Sequence, residues 1–105
     1  MELTSKQRAY LRSLSNTLEP AFFLGKASLT PEVTDALTEY FGKNELLKVS
    51  VLKNCGDDPR ELAQIIGERT HSTVVYTIGK KMVFYKPNKD KPKIVLPPAK
   101  ARKEV

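Results

Sequence analysis

The 105-residue chain has one cysteine, one histidine and no tryptophan. With Cys55 alone no intramolecular disulfide can form, which suits a reducing compartment. Cys55 and His71 cannot by themselves supply the ligands of a structural zinc site, so no metal is expected. No apolar run nears the roughly 20 residues that span a bilayer, and no membrane contact is expected. The opening MELTSKQRAY lacks the apolar centre of a secretory signal, so the chain is expected in the cytoplasm. A Walker phosphate loop and a dinucleotide fingerprint are both missing, and neither a cofactor nor a small-molecule substrate is expected. A nucleophilic Cys55–His71 pair would need two separate loops with no local signature. The chain is therefore read as non-catalytic.

What is present is positive charge, unevenly placed. The net charge is +6. Residues 1–85 hold eleven Lys/Arg against ten Asp/Glu, whereas residues 86–105 hold seven against two. A basic tail on a nearly neutral body favours a polyanionic partner, or else only keeps the protein soluble. Four of the seven prolines fall in the same tail, so no long helix is expected there. Ile94-Val95-Leu96 is expected to dock as an extended segment. The folded body is placed at 1–96 and a flexible tail at 97–105.

Along the body, periodicity alternates between helix and strand. Thr4 and Gln7 form a capping box for a helix over residues 4–18, with Leu11, Leu14 and Leu18 as its buried stripe. Arg8 and Arg12 lie one turn apart beside that stripe, as a solvated face or as a grip for an external anion. Ala21 to Leu24 reads as a short buried strand. Thr30-Pro31-Glu32 starts a second helix whose apolar face is Val33, Ala36, Leu37, Tyr40 and Phe41. Its other side carries Glu32, Asp35 and Glu39, so only its N-terminal end suits an anion. LLKVSVLK, residues 46–53, is a strand with one buried and one partly wet face. Asp58-Pro59 opens a third helix with Leu62, Ile65 and Ile66 inward and Arg69 near its C-terminal dipole. Residues 72–79 and 82–86 form a hairpin around Gly79-Lys80-Lys81. Tyr76 and Tyr85 are read as core residues first and base-stacking residues second.

The order α-β-α-β-α-β-β predicts a single α/β domain with a mixed four-stranded sheet and packed helices. Right-handed crossovers make the first three strands parallel wherever they are sheet neighbours, and the hairpin adds an antiparallel one. Gly25-Lys26-Ala27-Ser28 then joins the first strand to the second helix. It is either a plain tight turn or a phosphate grip of the GXXG type, with the helix N-terminus beside it.

The stretches LTSKQRAYLRSLSNTLEPAFFLGKASLTPEV, NELLKVSVL, ERTHSTVVYTIGKKMVFYKP and KIVLP, in that order and spacing, resemble the YhbY family. These are stand-alone versions of the CRM domain, named for chloroplast RNA splicing and ribosome maturation. The resemblance covers about residues 3–96. It implies a fold similar to the C-terminal domain of translation initiation factor three. It also implies RNA binding during maturation of the large ribosomal subunit, with Gly25 to Ser28 as the RNA contact. The sequence departs from the family in two places: Ser28 replaces the second loop glycine, and His71 stands where glycine often follows the third helix.

The leading expectation is thus a monomeric, non-catalytic protein whose partner is precursor ribosomal RNA or the pre-ribosomal large subunit. Gly25, Lys26, Ala27 and Ser28 would contact the backbone, Arg8 and Arg12 would pair phosphates, and Lys80, Lys81 and Lys86 would extend the footprint. A small basic DNA-binding protein and a protein–protein adaptor are the competing readings.

Overall fold

Each helix starts where a side-chain oxygen takes a backbone N–H. In the computed structural model, which describes residues 2–88, 90 and 92–97, Thr4 accepts from the Gln7 amide and Gln7 accepts from the Thr4 amide, both at 3.1 Å. That reciprocal cap opens α1 (Ser5–Ser15). Thr30 accepts from the Val33 amide at 3.1 Å to open α2 (Pro31–Tyr40). Asp58 accepts from the Arg60 amide at 3.0 Å to open α3 (Pro59–Thr70). In α2 and α3 proline takes the first position, where its missing N–H costs nothing.

The strands are β1 (Phe22–Leu24), β2 (Leu46–Val51), β3 (Thr73–Ile78) and β4 (Lys81–Tyr85), in sheet order β1-β2-β4-β3. β1 is parallel to β2, and β4 runs antiparallel to both β2 and β3. The mixed four-stranded α/β sheet is as the sequence predicts. The hairpin inserts β4 between β2 and β3, so those two share a direction without touching.

The sheet separates two apolar clusters. Leu24, Leu47, Val49, Val51, Met82 and Phe84 face Leu37 and Phe41 near or in α2 and Leu62, Ala63 and Ile66 of α3. Leu46, Val75, Val83 and Tyr85 face Leu11 of α1. Alternation along β2 and β4 divides these residues between the faces. α1 covers the second face of β2 only in part: Leu46 lies in the Leu11 cluster, Lys48 is half-buried, and Leu52 just past the strand is exposed, in keeping with a partly wet face.

Several boundaries differ from the sequence reading, each for a local reason. α1 stops at Ser15 because the Lys48 ammonium reaches the carbonyls of Ser15 (3.2 Å) and Leu18 (3.1 Å) and fixes the chain as it turns off. Its inward stripe is Gln7, Leu11 and Ser15, and Leu14 is exposed. Ile65 of α3 is exposed too, and Ala63 takes the inward position. The hairpin turn is two residues, Gly79-Lys80, so Lys81 belongs to β4. Positive φ falls on Gly79 alone of the pair, as in a II′ turn.

The segment after β4 docks, as expected, through Ile94 and Leu96, which pack on the α1-side cluster. Glu45 holds it in place. Glu45 is 6% exposed, and its carboxylate accepts from the amides of Asn88 (2.7 Å), Lys93 (2.8 Å) and Ile94 (2.7 Å). Burial pushes this carboxyl upward, but the three amides and the Lys93 charge outweigh it, and the net shift is below its ordinary value. Burial, then the nearby Glu45 charge, raises the Tyr85 phenol. Gln7 donates to the Pro97 carbonyl at 2.9 Å, closing the strap against the start of α1. Pro97 is the first residue of the flexible tail expected at 97–105; the rest of that tail, residues 98–105, lies outside the described residues.

Candidate nucleic-acid interface

Three connections meet at one end of the sheet. Leu24 ends β1 beside Val51, its register partner in β2. The Leu24 carbonyl accepts from the Leu52 amide at 2.8 Å, and the Lys80 carbonyl accepts from the Val51 amide at 2.7 Å. The turn after β1, the turn after β2 and the β3–β4 hairpin tip are therefore neighbours. They bring together Gly25, Lys26, Ala27 and Ser28 with Lys80 and Lys81, and they add Lys53, which the sequence reading passed over. The lysines of this set are exposed.

Within the first turn, the Ser28 amide donates to the Gly25 carbonyl at 2.9 Å, closing a β-turn. The left-handed residue is Ser28, with φ 57°. Gly25 serves clearance instead: a Cβ there would lie 3.3 Å from Asn54 Oδ1, so the two turns pack closely. The Cys55 thiol meets the Ser28 hydroxyl at 3.6 Å and helps hold the strained residue. The small residues thus make a tight turn and leave Lys26 and Ala27 projecting at its tip, both exposed.

The α2 N-terminus behind this turn is already partly satisfied, since Thr30 takes the Val33 amide and Glu32 sits in the first turn. On its α3 side, Ser28 and Leu29 border a groove lined also by Asp57, Glu61 and Arg69. Two carboxylates there oppose a phosphate. An anion fits the Lys26, Lys53 and Lys80 side of the turn and not the groove side.

Arg8 and Arg12 lie on the α1 side of the sheet and have different surroundings. Between Val74 and Tyr76 the register of β3 slips, and one Arg8 guanidinium nitrogen donates to both the Val74 (2.7 Å) and Val75 (2.6 Å) carbonyls. Arg8 thereby braces a bulged edge strand. Arg12 is exposed and lies 5.4 Å above the Tyr76 ring, whose hydroxyl is 3.1 Å from Ser15 Oγ. Lys86 is at the other end of the sheet, after Tyr85, and its ammonium meets the Thr70 carbonyl at 3.0 Å. The α3 C-terminus is thus met by Lys86, while Arg69 of the last turn is exposed. Of the nine candidate positions, the structure gathers Gly25 to Ser28 with Lys80 and Lys81, sets Arg12 on the adjoining face, and gives Arg8 and Lys86 internal partners.

One aromatic residue was missed. Phe23 sits in a strand read as buried, yet it is 59% exposed. β1 is an edge strand, and two consecutive phenylalanines on a strand must point to opposite faces. Phe22 packs on the α2 side, edge-on to Tyr40 at 5.8 Å, which leaves Phe23 on the other side. That alternation was the available signal. Among the described residues, no group of three potential metal ligands occurs, and no helix is long and apolar enough to cross a membrane.

Comparison with known proteins adds to this geometry. The family model described as the CRS1 / YhbY (CRM) domain matches residues 3–86. "Probable RNA-binding protein YqeI" of Bacillus subtilis is 38% identical over 95 residues, covering 90% of this chain and 99% of that protein. A protein of Haemophilus influenzae named "RNA-binding protein" is 32% identical, covering 90% of this chain and 95% of its own. The solution structure of SAV1595 from Staphylococcus aureus superposes with a TM-score of 0.77 at 38% identity, covering 91% of this chain and all of that one.

Proposed function

Because the chain belongs to the CRS1 / YhbY (CRM) domain family, we propose that it is a non-catalytic RNA-binding protein. The observation that carries the reading is the cluster of Lys26, Lys53, Lys80 and Lys81 around one stripped-down turn, next to an α1 that holds Lys6, Arg8 and Arg12 and no acid. Cations spaced over one end of a sheet meet a phosphate backbone, which positions the nucleic acid without reading its sequence. The names of the relatives support RNA over DNA. The finer reading is that the RNA is precursor ribosomal RNA, bound during assembly of the large subunit; it follows from what the family resemblance implies.

Competition at one fixed salt concentration, between ribosomal RNA fragments and duplex DNA, tests the class of partner. The fragments are expected to displace the DNA, and the reverse order would sink the proposal. Co-sedimentation with precursor large-subunit particles in a sucrose gradient tests the finer reading, which fails if the protein stays at the top.

A further inference from the structure

The α1 side of the sheet carries a bare strip at the end nearest the lysine cluster. The strip follows the register across all four strands: Phe23 pairs with Ser50, Ser50 with Lys81, and Lys81 with Ile78. Alternation puts all four on the α1 face. Their strand neighbours Phe22, Leu24, Val49, Val51 and Met82 pack toward α2 and α3. Three strand spacings make the row about 14 Å long. α1 stops one row short of it, where Lys48 binds the Ser15 and Leu18 carbonyls. Ser50 is 8% exposed and forms a low floor, while Phe23 and Ile78 are 59% and 48% exposed at the two ends. Lys81 stands between them, exposed.

We propose that this row seats unpaired nucleotides, with a base stacked on the Phe23 ring and the adjoining phosphate met by Lys81. The preferred RNA then has a loop, bulge or single-stranded end, not a continuous duplex. The inference rests on the RNA-binding reading above and adds a substrate class to it. An aromatic ring left bare on a sheet has a π face open to any base, and stacking is tolerant of sequence. A paired base cannot reach it, because its faces are occupied by its neighbours. The Arg12–Tyr76 stack lies on the same face, one row nearer α1, and extends the cationic border. A second copy of this chain is a poor occupant. Packing the row against its own copy across a two-fold would set the exposed Lys81 of one copy against Lys81 of the other at the middle of the row.

The test compares Phe23→Ala, Phe23→Tyr and Lys26→Glu with the unaltered protein, by anisotropy of two labelled RNAs at one salt concentration. One RNA is a hairpin with an unpaired loop, and the other is a blunt duplex of equal length. Phe23→Ala is expected to weaken hairpin binding about tenfold and duplex binding less than about twofold, with Phe23→Tyr restoring most of the loss. Lys26→Glu is expected to weaken both alike. Equal loss on both RNAs with Phe23→Ala, or no loss on the hairpin while Lys26→Glu still weakens it, overturns the stacking row and leaves RNA binding standing. No binding of either RNA by the unaltered protein overturns both readings. A dimer in sedimentation that Phe23→Ala abolishes, with RNA affinity unchanged, makes the row a self-interface and also overturns the proposal.

Discussion

The two sides of the sheet are built to the same apolar plan and carry opposite surface charge. α1, alone on its side, has Lys6, Arg8 and Arg12 and no acid. α2, on the other side, has Glu32, Asp35 and Glu39 and no cation, while α3 balances Arg60 and Arg69 against Glu61 and Glu68. Burial does not require this segregation, since mixed charges would solvate either helix equally well. It orients the molecule: a polyanion is drawn to the α1 side and the lysine-bearing end, and is repelled from α2.

The largest expected effect breaks that asymmetry directly. Arg12→Glu combined with Lys26→Glu should lower RNA affinity about 100-fold at moderate salt, because two phosphate contacts become repulsions. Glu32→Lys combined with Glu39→Lys changes net charge by as much in the opposite sense, yet should move affinity less than about threefold. Filter binding of the two doubles against one RNA reads the difference. Comparable changes from both would mean that total charge acts and the sides do not. Arg8 is left out deliberately, since removing it also frees the Val74 and Val75 carbonyls.

The next largest effect concerns the strap, which belongs to the α1 side only. Glu45→Ala leaves the Asn88, Lys93 and Ile94 amides without their carboxylate and should cost about 2 kcal/mol in urea unfolding. A loss under about 0.5 kcal/mol would show that Ile94 and Leu96 hold the strap unaided. The same group sets a pH dependence. Its folded value lies below the ordinary 4.5, so the unfolded chain binds the proton first as pH drops. The contribution is therefore complete above the ordinary value and is lost as pH falls through the folded one. Stability curves of the unaltered protein and Glu45→Gln should converge in that acidic window; parallel curves there would remove Glu45 as the source.

These residues also show how far the sequence could be read. Caps at Thr4, Thr30 and Asp58, the element order and the docked Ile94 were legible because each is a local rule. The end of α1 was not, because a lysine thirty-three residues further along in the chain decides it. Nothing in the sequence marks Glu45 as a buried anchor, since its three partners come from a segment with no secondary-structure signal. For the site, Lys26 and the hairpin lysines were visible as charges, but their meeting depends on the Val51–Lys80 and Leu24–Leu52 hydrogen bonds. Arg8 and Lys86 were visible in the same way, and only the fold shows that each has a carbonyl to bind.

A smaller effect separates Lys86 from Arg12 among the cations. Arg12→Ala should reduce the slope of log affinity against log salt by about one, with no change in thermal midpoint beyond that of losing the Tyr76 stack. Lys86→Ala should leave the slope alone and lower stability by about 1 kcal/mol, because it uncaps the Thr70 carbonyl. An unchanged slope for Arg12→Ala would confine the interface to the sheet end.

The smallest effect compares two strained residues at opposite ends of the molecule. Ser28 and His71 both have φ 57°, a conformation that favours glycine. His71 caps α3 from this left-handed state, donating to the Gly67 carbonyl, as does the Ser72 amide at 2.9 Å. Its side chain is exposed to solvent, so His71→Gly should stabilise by about 0.5–1 kcal/mol, the strain relieved less the extra chain entropy of glycine. Ser28→Gly relieves the same strain but gives up the Cys55 contact at 3.6 Å, so its gain should be smaller. The two differ in function as well. Ser28→Gly frees the turn that bears Lys26 and should alter RNA affinity modestly in either direction, whereas His71→Gly should leave it untouched. Thermal melts paired with RNA titrations measure both. If His71→Gly alters affinity as much as Ser28→Gly does, the far end of the sheet also touches RNA, and the contrast between the two ends has to be redrawn.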